Sequence, residues 1–309
     1  EDAGNMEFVG CNLCGAWERR EIYPDTRIYP NGSADWDAYR CTYPGYGVHP
    51  PIVQCMCCGL IYTSPRARRD IVVEKYKAVA DPLYLQERWA REITFRRHLQ
   101  TLERFTGPGA GKHILDVGAY IGVFVEEAQK AGWQAWGLEP SAWGASYARE
   151  QGLNVVHGLL ETAEFEPSSF DALTMWDVIE HLGNPQAGLR QSYRLLKPGG
   201  WIAVHTMDID SLFARLMGAR WPWLMEMHIY YFSRQTLRLM LERVGFRVAC
   251  IKPEGRFLRL KYLTTRLRPY SRLMADWIDR VAKLTGVDRV PLPINFGDLI
   301  TAYAQKPEE

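Results

Sequence analysis

The chain has 309 residues, of which 47% are hydrophobic and 24% charged, with a formal net charge of +1. That composition excludes a disordered chain, and no run approaches the ~20 apolar residues of a membrane span. So small a net charge leaves little field for gripping a phosphate backbone, so nucleic acid is not the expected partner.

From the N-terminus, residues 1–8 carry no basic segment followed by an apolar run, so no secretory signal is expected. Cys11, Cys14, Cys41, Cys55, Cys57 and Cys58 then cluster in the first 60 residues, with Cys250 alone beyond them. Without an export signal, such clustering predicts metal thiolates in a reducing cytoplasm and not disulfides. Cys11-x-x-Cys14 and Cys55-x-x-Cys58 are two thiolate pairs, and four thiolates make a closed, structural zinc site. Gly15 and Gly59 follow the pairs, consistent with tight turns that free backbone donors for sulfur. The intervening stretch, with Tyr39, Tyr43, Tyr46 and His49, is expected to loop out. Cys41 and Cys57 read as spare thiols. A redox role for the pairs is the competing reading, and no thioredoxin-like pattern surrounds them. A zinc-ribbon-like module over 7–64 is the expectation.

Residues 65–111 read as linking or covering helices. Leu85, Trp89, Ile93, Phe95, Leu99 and Leu102 recur at near-helical intervals over 81–105, and the pattern stops at Gly107-Pro108-Gly109. From 113 onward strand and helix alternate. Strands are predicted at 113–117, 134–138, 153–156, 170–175, 201–206, 246–251 and 298–305. Helices are predicted at 121–131, from the Ser141 N-cap to 150, at 186–196, and from Ser233 to Gly245. This predicts an α/β fold over 112–309: a doubly wound, mostly parallel seven-stranded sheet covered by helices.

Two insertions interrupt the rhythm. Residues 207–232 hold Trp221, Trp223, His228, Tyr230 and Tyr231 and read as an aromatic cap. Residues 256–296 are basic, with nine Lys/Arg against three Asp over 256–290. There Leu273, Met274, Trp277, Ile278, Val281 and Leu284 form one apolar helical face. The face either rests on a membrane surface, with the basic groups meeting anionic phosphates, or packs on the main domain.

The most informative run is Leu115-Asp116-Val117-Gly118-Ala119-Tyr120-Ile121-Gly122, a strand entering a helix through a glycine-containing turn. Glu139 ends the next strand, placed to bind the hydroxyls of a ribose. A dinucleotide turn needs glycine where this chain has Tyr120 and Val123, so a pyrophosphate would meet side chains. A sulfonium nucleoside makes no such demand, and its cationic ends favour a carboxylate such as Asp116.

HILDVGAYIGVFVEEAQKAGWQAWGLEPS, SSFDALTMWDVIEHLGNP and RLLKPGGWIAV resemble, in order and spacing, the motifs of class I S-adenosylmethionine-dependent methyltransferases. The resemblance covers about 113–250 and implies a Rossmann-like fold. It implies that Asp116, Gly118 and Ala119 line the methionine moiety, with Tyr120 and Gly122 in the same turn. Glu139, before Pro140, would hold the ribose, Leu160 is a candidate at the adenine, and Trp176 and Asp177 would flank the cofactor. CMCCGLIYTSPR resembles the zinc-binding segment found ahead of methyltransferases acting on sugars, cell-surface glycans or natural products. The expected acceptor is therefore a small molecule or glycan.

Methyl transfer is an in-line displacement, so alignment supplies much of the rate, and a hydroxyl acceptor also needs a base. His228 and His181 are the candidate bases, with Tyr230 beside them. Each also has a plain structural reading, as a packing or loop-ordering residue, and Glu180 reads as a helix cap. A nucleic-acid-modifying methyltransferase docking through its zinc module, and a cofactor-binding protein without turnover, are the alternatives.

Overall fold

The computed structural model describes residues 5–27, 36–43, 45–260, 262, 264, 268, 271–287 and 290–308. Parts of the expected N-terminal loop (28–35 and 44) and of the basic insertion (261, 263, 265–267, 269, 270, 288 and 289) lie outside them.

The N-terminal part contains β1 (Met6–Glu7), β2 (Arg19–Tyr23), β3 (Ile52–Cys55), β4 (Ile61–Thr63) and β5 (Arg66–Ala67). Three helices follow: α1 (Arg69–Ala78), α2 (Pro82–Leu85) and α3 (Arg88–Thr106). The single helix expected over 81–105 is thus broken. Pro82 starts α2, as proline does at a first helical turn. The break falls at Glu87, whose buried carboxylate accepts Arg259 Nε at 2.9 Å.

The alternating half runs β6 (His113–Val117), α4 (Val123–Lys130), β7 (Gln134–Glu139), α5 (Ala142–Glu150), β8 (Val155–His157) and β9 (Phe170–Trp176). It continues through α6 (Pro185–Leu195), β10 (Leu196–Met207), α7 (Leu212–Met217), β11 (Tyr230–Tyr231), α8 (Arg234–Val244) and β12 (Arg247–Pro253). The last elements are β13 (Arg256–Arg259), α9 (Arg272–Thr285), β14 (Pro291–Ile294) and β15 (Leu299–Gln305). Seven strands form one sheet in the order β12-β15-β10-β9-β6-β7-β8. Only β15 runs antiparallel, wedged between β10 and β12. The doubly wound, mostly parallel sheet read from the sequence is the observed architecture.

Strand alternation sorts the core. On β6, Leu115 and Val117 face one layer, together with Leu189 of α6 and Leu237 of α8. Ile114 faces the other, with Leu99 and Leu102 of α3 and Phe124 of α4. Caps fix the helix starts: the Ser141 hydroxyl accepts Gly144 N–H at 3.0 Å, and Ser233 forms a reciprocal capping box with Thr236.

A second, antiparallel sheet has the order β11-β4-β3-β2. Three of its strands come from the cysteine-bearing segment, and the fourth, Tyr230–Tyr231, comes from the aromatic stretch after β10. Cys11, Leu60 and Tyr62 belong to the same apolar cluster as Leu115 and Leu173. The N-terminal segment therefore packs directly onto one layer of the main sheet.

The apolar face read on 273–284 forms on α9, yet it is largely uncovered: Leu273 is 87%, Trp277 65% and Leu284 82% exposed. Ala275 and Ala282 are the buried side of that helix. Among the described residues, no helix is long and apolar enough to cross a membrane.

Candidate active site

Between β6 and α4, Gly118, Tyr120 and Gly122 all take positive φ, at 75°, 47° and 79°. A Cβ on Gly118 would meet Val178 Cγ2 at 2.5 Å, so glycine is required there on two counts. Tyr120 holds a left-handed conformation that costs a side-chain residue about 1–2 kcal/mol. Its ring packs edge-on against Tyr84 at 4.6 Å and lies 5.7 Å from Trp143, both measured between centroids. Gly144 makes room for it, since a Cβ there would lie 2.9 Å from Tyr120 Cδ2.

Glu139, at the carboxyl end of β7, is tied to that turn. Its Oε2 accepts the Tyr120 N–H and its Oε1 the Ser141 N–H, both at 2.7 Å. Each oxygen keeps a further lone pair for a ligand hydroxyl. Burial pushes the Glu139 carboxyl up to about 7, against the pull of those two N–H groups. Asp116 on β6 accepts the Thr174 hydroxyl at 2.7 Å. Burial raises it to about 8, with the Glu139 charge adding to the effect.

These groups open onto a cavity of about 680 Å³, within the range of sites for small ligands. Of the residues singled out in the sequence, Asp116, Gly118, Ala119, Tyr120, Glu139, Pro140, Leu160, Trp176, Asp177, His181 and His228 line it. Gly122 and Tyr230 are not among the lining residues. Gly122 is the left-handed N-cap of α4, where a Cβ would strike Leu153. Tyr230 is fixed in β11, its hydroxyl accepting Arg66 Nη1 at 3.1 Å and donating to the Gly183 carbonyl at 3.5 Å.

Asp177, at the end of β9, also takes positive φ, 56°. Its Oδ1 accepts Arg256 Nη2 at 2.9 Å and lies 3.7 Å from His205 Nε2. Burial would raise this carboxyl, but the charges of Arg256, His205 and Arg91 outweigh it and hold it at about 2. The Glu161 carboxylate, next to Leu160 in the cavity wall, is paired with Arg69 at 2.8 Å.

The two histidines face each other, with ring centroids 4.8 Å apart. His181 Nδ1 lies 2.8 Å from both the Met227 carbonyl and the Tyr76 hydroxyl, and His228 Nδ1 lies 2.7 Å from the Trp223 carbonyl. Burial holds His181 below the usual imidazole range and His228 at about 3, so both are neutral at ordinary pH. Glu180, read as a cap, is fully buried and aims at this pair.

Several lining groups carry no sequence motif. Arg91 of α3 sits over the Tyr84 ring at 3.7 Å, Tyr76 reaches in from α1, and Arg256 from β13. Each is brought in by packing of a distant segment.

Away from the cavity, the sulfurs of Cys11, Cys14, Cys55 and Cys58 lie within 4.8 Å of one another. Cys11 Sγ is 3.4 Å from Cys58 Sγ, and Cys14 Sγ 3.5 Å from Cys55 Sγ. The two knuckles match: Gly15 N–H donates to the Cys11 carbonyl at 2.8 Å and Gly59 N–H to the Cys55 carbonyl at 3.0 Å. Both glycines have positive φ. Tetrahedral zinc with Zn–S near 2.3 Å spaces its sulfurs about 3.8 Å apart, so the four thiols fit such an ion. Cys41 and Cys57 are not part of the cluster.

A sequence profile described as a methyltransferase domain matches residues 84–251, more than half of the chain. The ubiquinone biosynthesis O-methyltransferase of Bordetella bronchiseptica is 28% identical over 165 residues, 48% of this chain and 66% of that protein. The enzyme of the same description from Thiobacillus denitrificans is 32% identical over 111 residues, 34% of this chain and 48% of that protein. The chain thus spans about half to two thirds of the length of these curated relatives. A SAM-dependent methyltransferase from Archaeoglobus fulgidus shares the fold with a TM-score of 0.50 at 20% identity, covering 73% of this chain and 100% of that one. The chain belongs to the methyltransferase-domain family, within the class I S-adenosylmethionine-dependent methyltransferases that its motifs resemble.

Proposed function

We propose that this protein transfers the methyl group of S-adenosylmethionine to an oxygen of a small-molecule or glycan acceptor. The observation that carries the reading is the Glu139 carboxylate, pinned by two backbone N–H groups at the rim of a turn that has Tyr120 where a diphosphate-binding turn needs glycine. Glu139 accepts the ribose hydroxyls, and Asp116 and Asp177 set a negative field for the cationic end of the cofactor. When bound, that cofactor supplies an electrophilic methyl group on sulfur. Trp176 and Leu160 supply apolar walls.

The acceptor occupies the part of the same cavity lined by His181, His228 and Trp223. With their Nδ1 atoms engaged, the two imidazoles offer one open nitrogen each on the acceptor's side of the cavity. Their low basicity makes them poor resting places for its proton, so positioning is the role assigned to them. The oxygen acceptor follows the relatives, which are described as O-methyltransferases. Calorimetry with S-adenosylmethionine and with NAD tests the cofactor: the first is expected to bind and the second not. A panel of phenols, sugars and nucleotide sugars, read by S-adenosylhomocysteine release, tests the acceptor.

The Cys11, Cys14, Cys55 and Cys58 cluster is assigned one structural zinc, on the fit of its sulfur spacings to a tetrahedral ion. The uncovered side of α9, with Arg272, Arg280 and Lys283 exposed on the same helix, supports contact with an anionic membrane surface. Co-sedimentation with phosphatidylserine vesicles tests that contact, and loss of binding in Trp277→Ala would place it on α9.

A further inference from the structure

In the part of the cavity assigned to the acceptor, Glu180, His181 and His228 bring one potential ligand atom each to within 4.8 Å of one another. Glu180 and His181 come from the turn after β9, and His228 from the segment before β11. All three line the cavity.

Each is held by one polar atom, which leaves its other one for a ligand. His181 Nδ1 lies 2.8 Å from the Met227 carbonyl and His228 Nδ1 2.7 Å from the Trp223 carbonyl. A carbonyl only accepts, so both rings carry their proton on Nδ1 and both Nε2 atoms present a bare lone pair. Glu180 Oε2 accepts the Thr206 hydroxyl at 3.0 Å. Glu180 Oε1 is buried with no hydrogen-bond partner among the described residues, in a side chain with no solvent exposure.

With Glu180 ionised, three acceptor atoms converge with no donor among them, an arrangement that a bound cation would stabilise. One proton does not bridge the pair: His181 Nε2 and Glu180 Oε1 are 4.0 Å apart, beyond hydrogen-bond reach. A first-row divalent cation, with bonds of about 2.0–2.2 Å, spans such a gap after a small closing of the side chains. Backbone carbonyls orienting the far nitrogen of each imidazole are the usual outer shell of a metal site.

We propose that Glu180, His181 and His228 bind a divalent cation such as Zn²⁺, Fe²⁺ or Mn²⁺, and that the acceptor is an oxygen nucleophile that ligates it. Two imidazoles and one carboxylate suit that class of ion and leave coordination positions open towards the cavity. This rests on the methyltransferase reading above and adds what activates the acceptor. Ligation acidifies the hydroxyl, whose proton leaves to water. The oxygen then forms its bond to the methyl carbon as the carbon–sulfur bond breaks, and the sulfur keeps that electron pair as a neutral thioether.

The test is metal content after dialysis of the intact protein against Zn²⁺ and, separately, Mn²⁺, compared with Glu180→Gln and His228→Ala. The wild type should hold about one more cation per chain than either variant, for at least one of the two ions. The comparison is indifferent to metal at the cysteines, which all three proteins share. Thr206→Val, which removes the outer-shell bond, should weaken the affinity about 10–100-fold and serves if either variant fails to fold. Equal metal content in wild type and variants, for both ions, overturns the proposal. Binding of S-adenosylmethionine, measured alongside, separates the two readings. A lost cation difference with intact cofactor binding sinks this inference alone, whereas a retained difference without cofactor binding sinks the methyltransferase reading and leaves the cation site.

Discussion

The backbone N–H of Tyr120 donates to Glu139 Oε2 at 2.7 Å, joining the left-handed turn after β6 to the acid at the end of β7. The turn's shape and the acid's orientation are therefore one feature. A change to either residue moves the other.

Tyr120→Gly illustrates how the energies divide. Glycine would relieve about 1–2 kcal/mol of left-handed strain. Losing an aromatic ring buried against Tyr84 and Trp143 costs about 3–5 kcal/mol. The packing loss wins, so the variant should be less stable by about 1–4 kcal/mol, read as a lower midpoint in urea. A variant as stable as the wild type would show that the strain was the larger quantity.

Near neutrality in the ligand-free protein Glu139, at about 7, is about half protonated and Asp116, at about 8, largely so. Because their folded pKa values are raised, they favour folding fully below the ordinary carboxylate value, and that stability is lost as pH rises through about 8. A ligand with ribose hydroxyls and cationic groups favours both carboxylates, so binding should release protons. Affinity for S-adenosylmethionine should rise through pH 6–8, by up to about tenfold per pH unit for each proton released, and then level off. Calorimetry in buffers of different ionisation enthalpy reads the release directly, and uptake of protons would contradict the assignment.

Cys55→Ala removes one of four thiols from a cluster that shares its apolar packing with Leu115 and Leu173. Bound zinc should fall from about one per chain at this site to none. The loss should also reach the cavity, because β11, paired to β4, begins two residues after His228. The expected readouts are a lower melting temperature and weaker acceptor binding. Unchanged zinc content would remove the metal from this cluster.

Arg256→Ala strips Asp177 of its closest cation. The carboxylate is 34% exposed, so the penalty should be about 1–2 kcal/mol, below the 3–5 typical of a fully buried pair. Asp177 is depressed from 3.8 to about 2, so its contribution is present above 3.8 and lost as pH falls through 2. The stability difference between wild type and variant should shrink over that window in an acid titration. A difference that stays constant to pH 2 would assign Arg256 a packing role only.

What the sequence made legible was local. HILDV, the glycines at 118 and 122, and the acid at 139 announce a strand, a turn and a ligand carboxylate within thirty residues, because one short stretch carries the whole pattern. The cysteine pairs are legible for the same reason. The missed groups depend on long-range packing: Arg256 meets Asp177 across 79 positions and Tyr76 meets His181 across 105. The pairing of Tyr230 with Tyr62 is also of this kind, and it turns a candidate catalytic phenol into part of a sheet. The periodicity over 273–284 revealed an apolar face on α9, but period alone does not say whether a face is covered, and here Leu273 is 87% exposed. Glu180 looked like a cap because it stands where a helix was expected to start. Its side chain is instead fully buried and bonded to Thr206 of β10, which no local pattern announces.

The most direct test of the account is titration of S-adenosylmethionine into the wild type and into Glu139→Gln, with circular dichroism to check folding. The wild type should bind one molecule per chain, and the variant should bind on the order of 10–100-fold more weakly, the worth of hydrogen bonds to a charged acceptor. No heat with the wild type, or equal affinity in the folded variant, would contradict it.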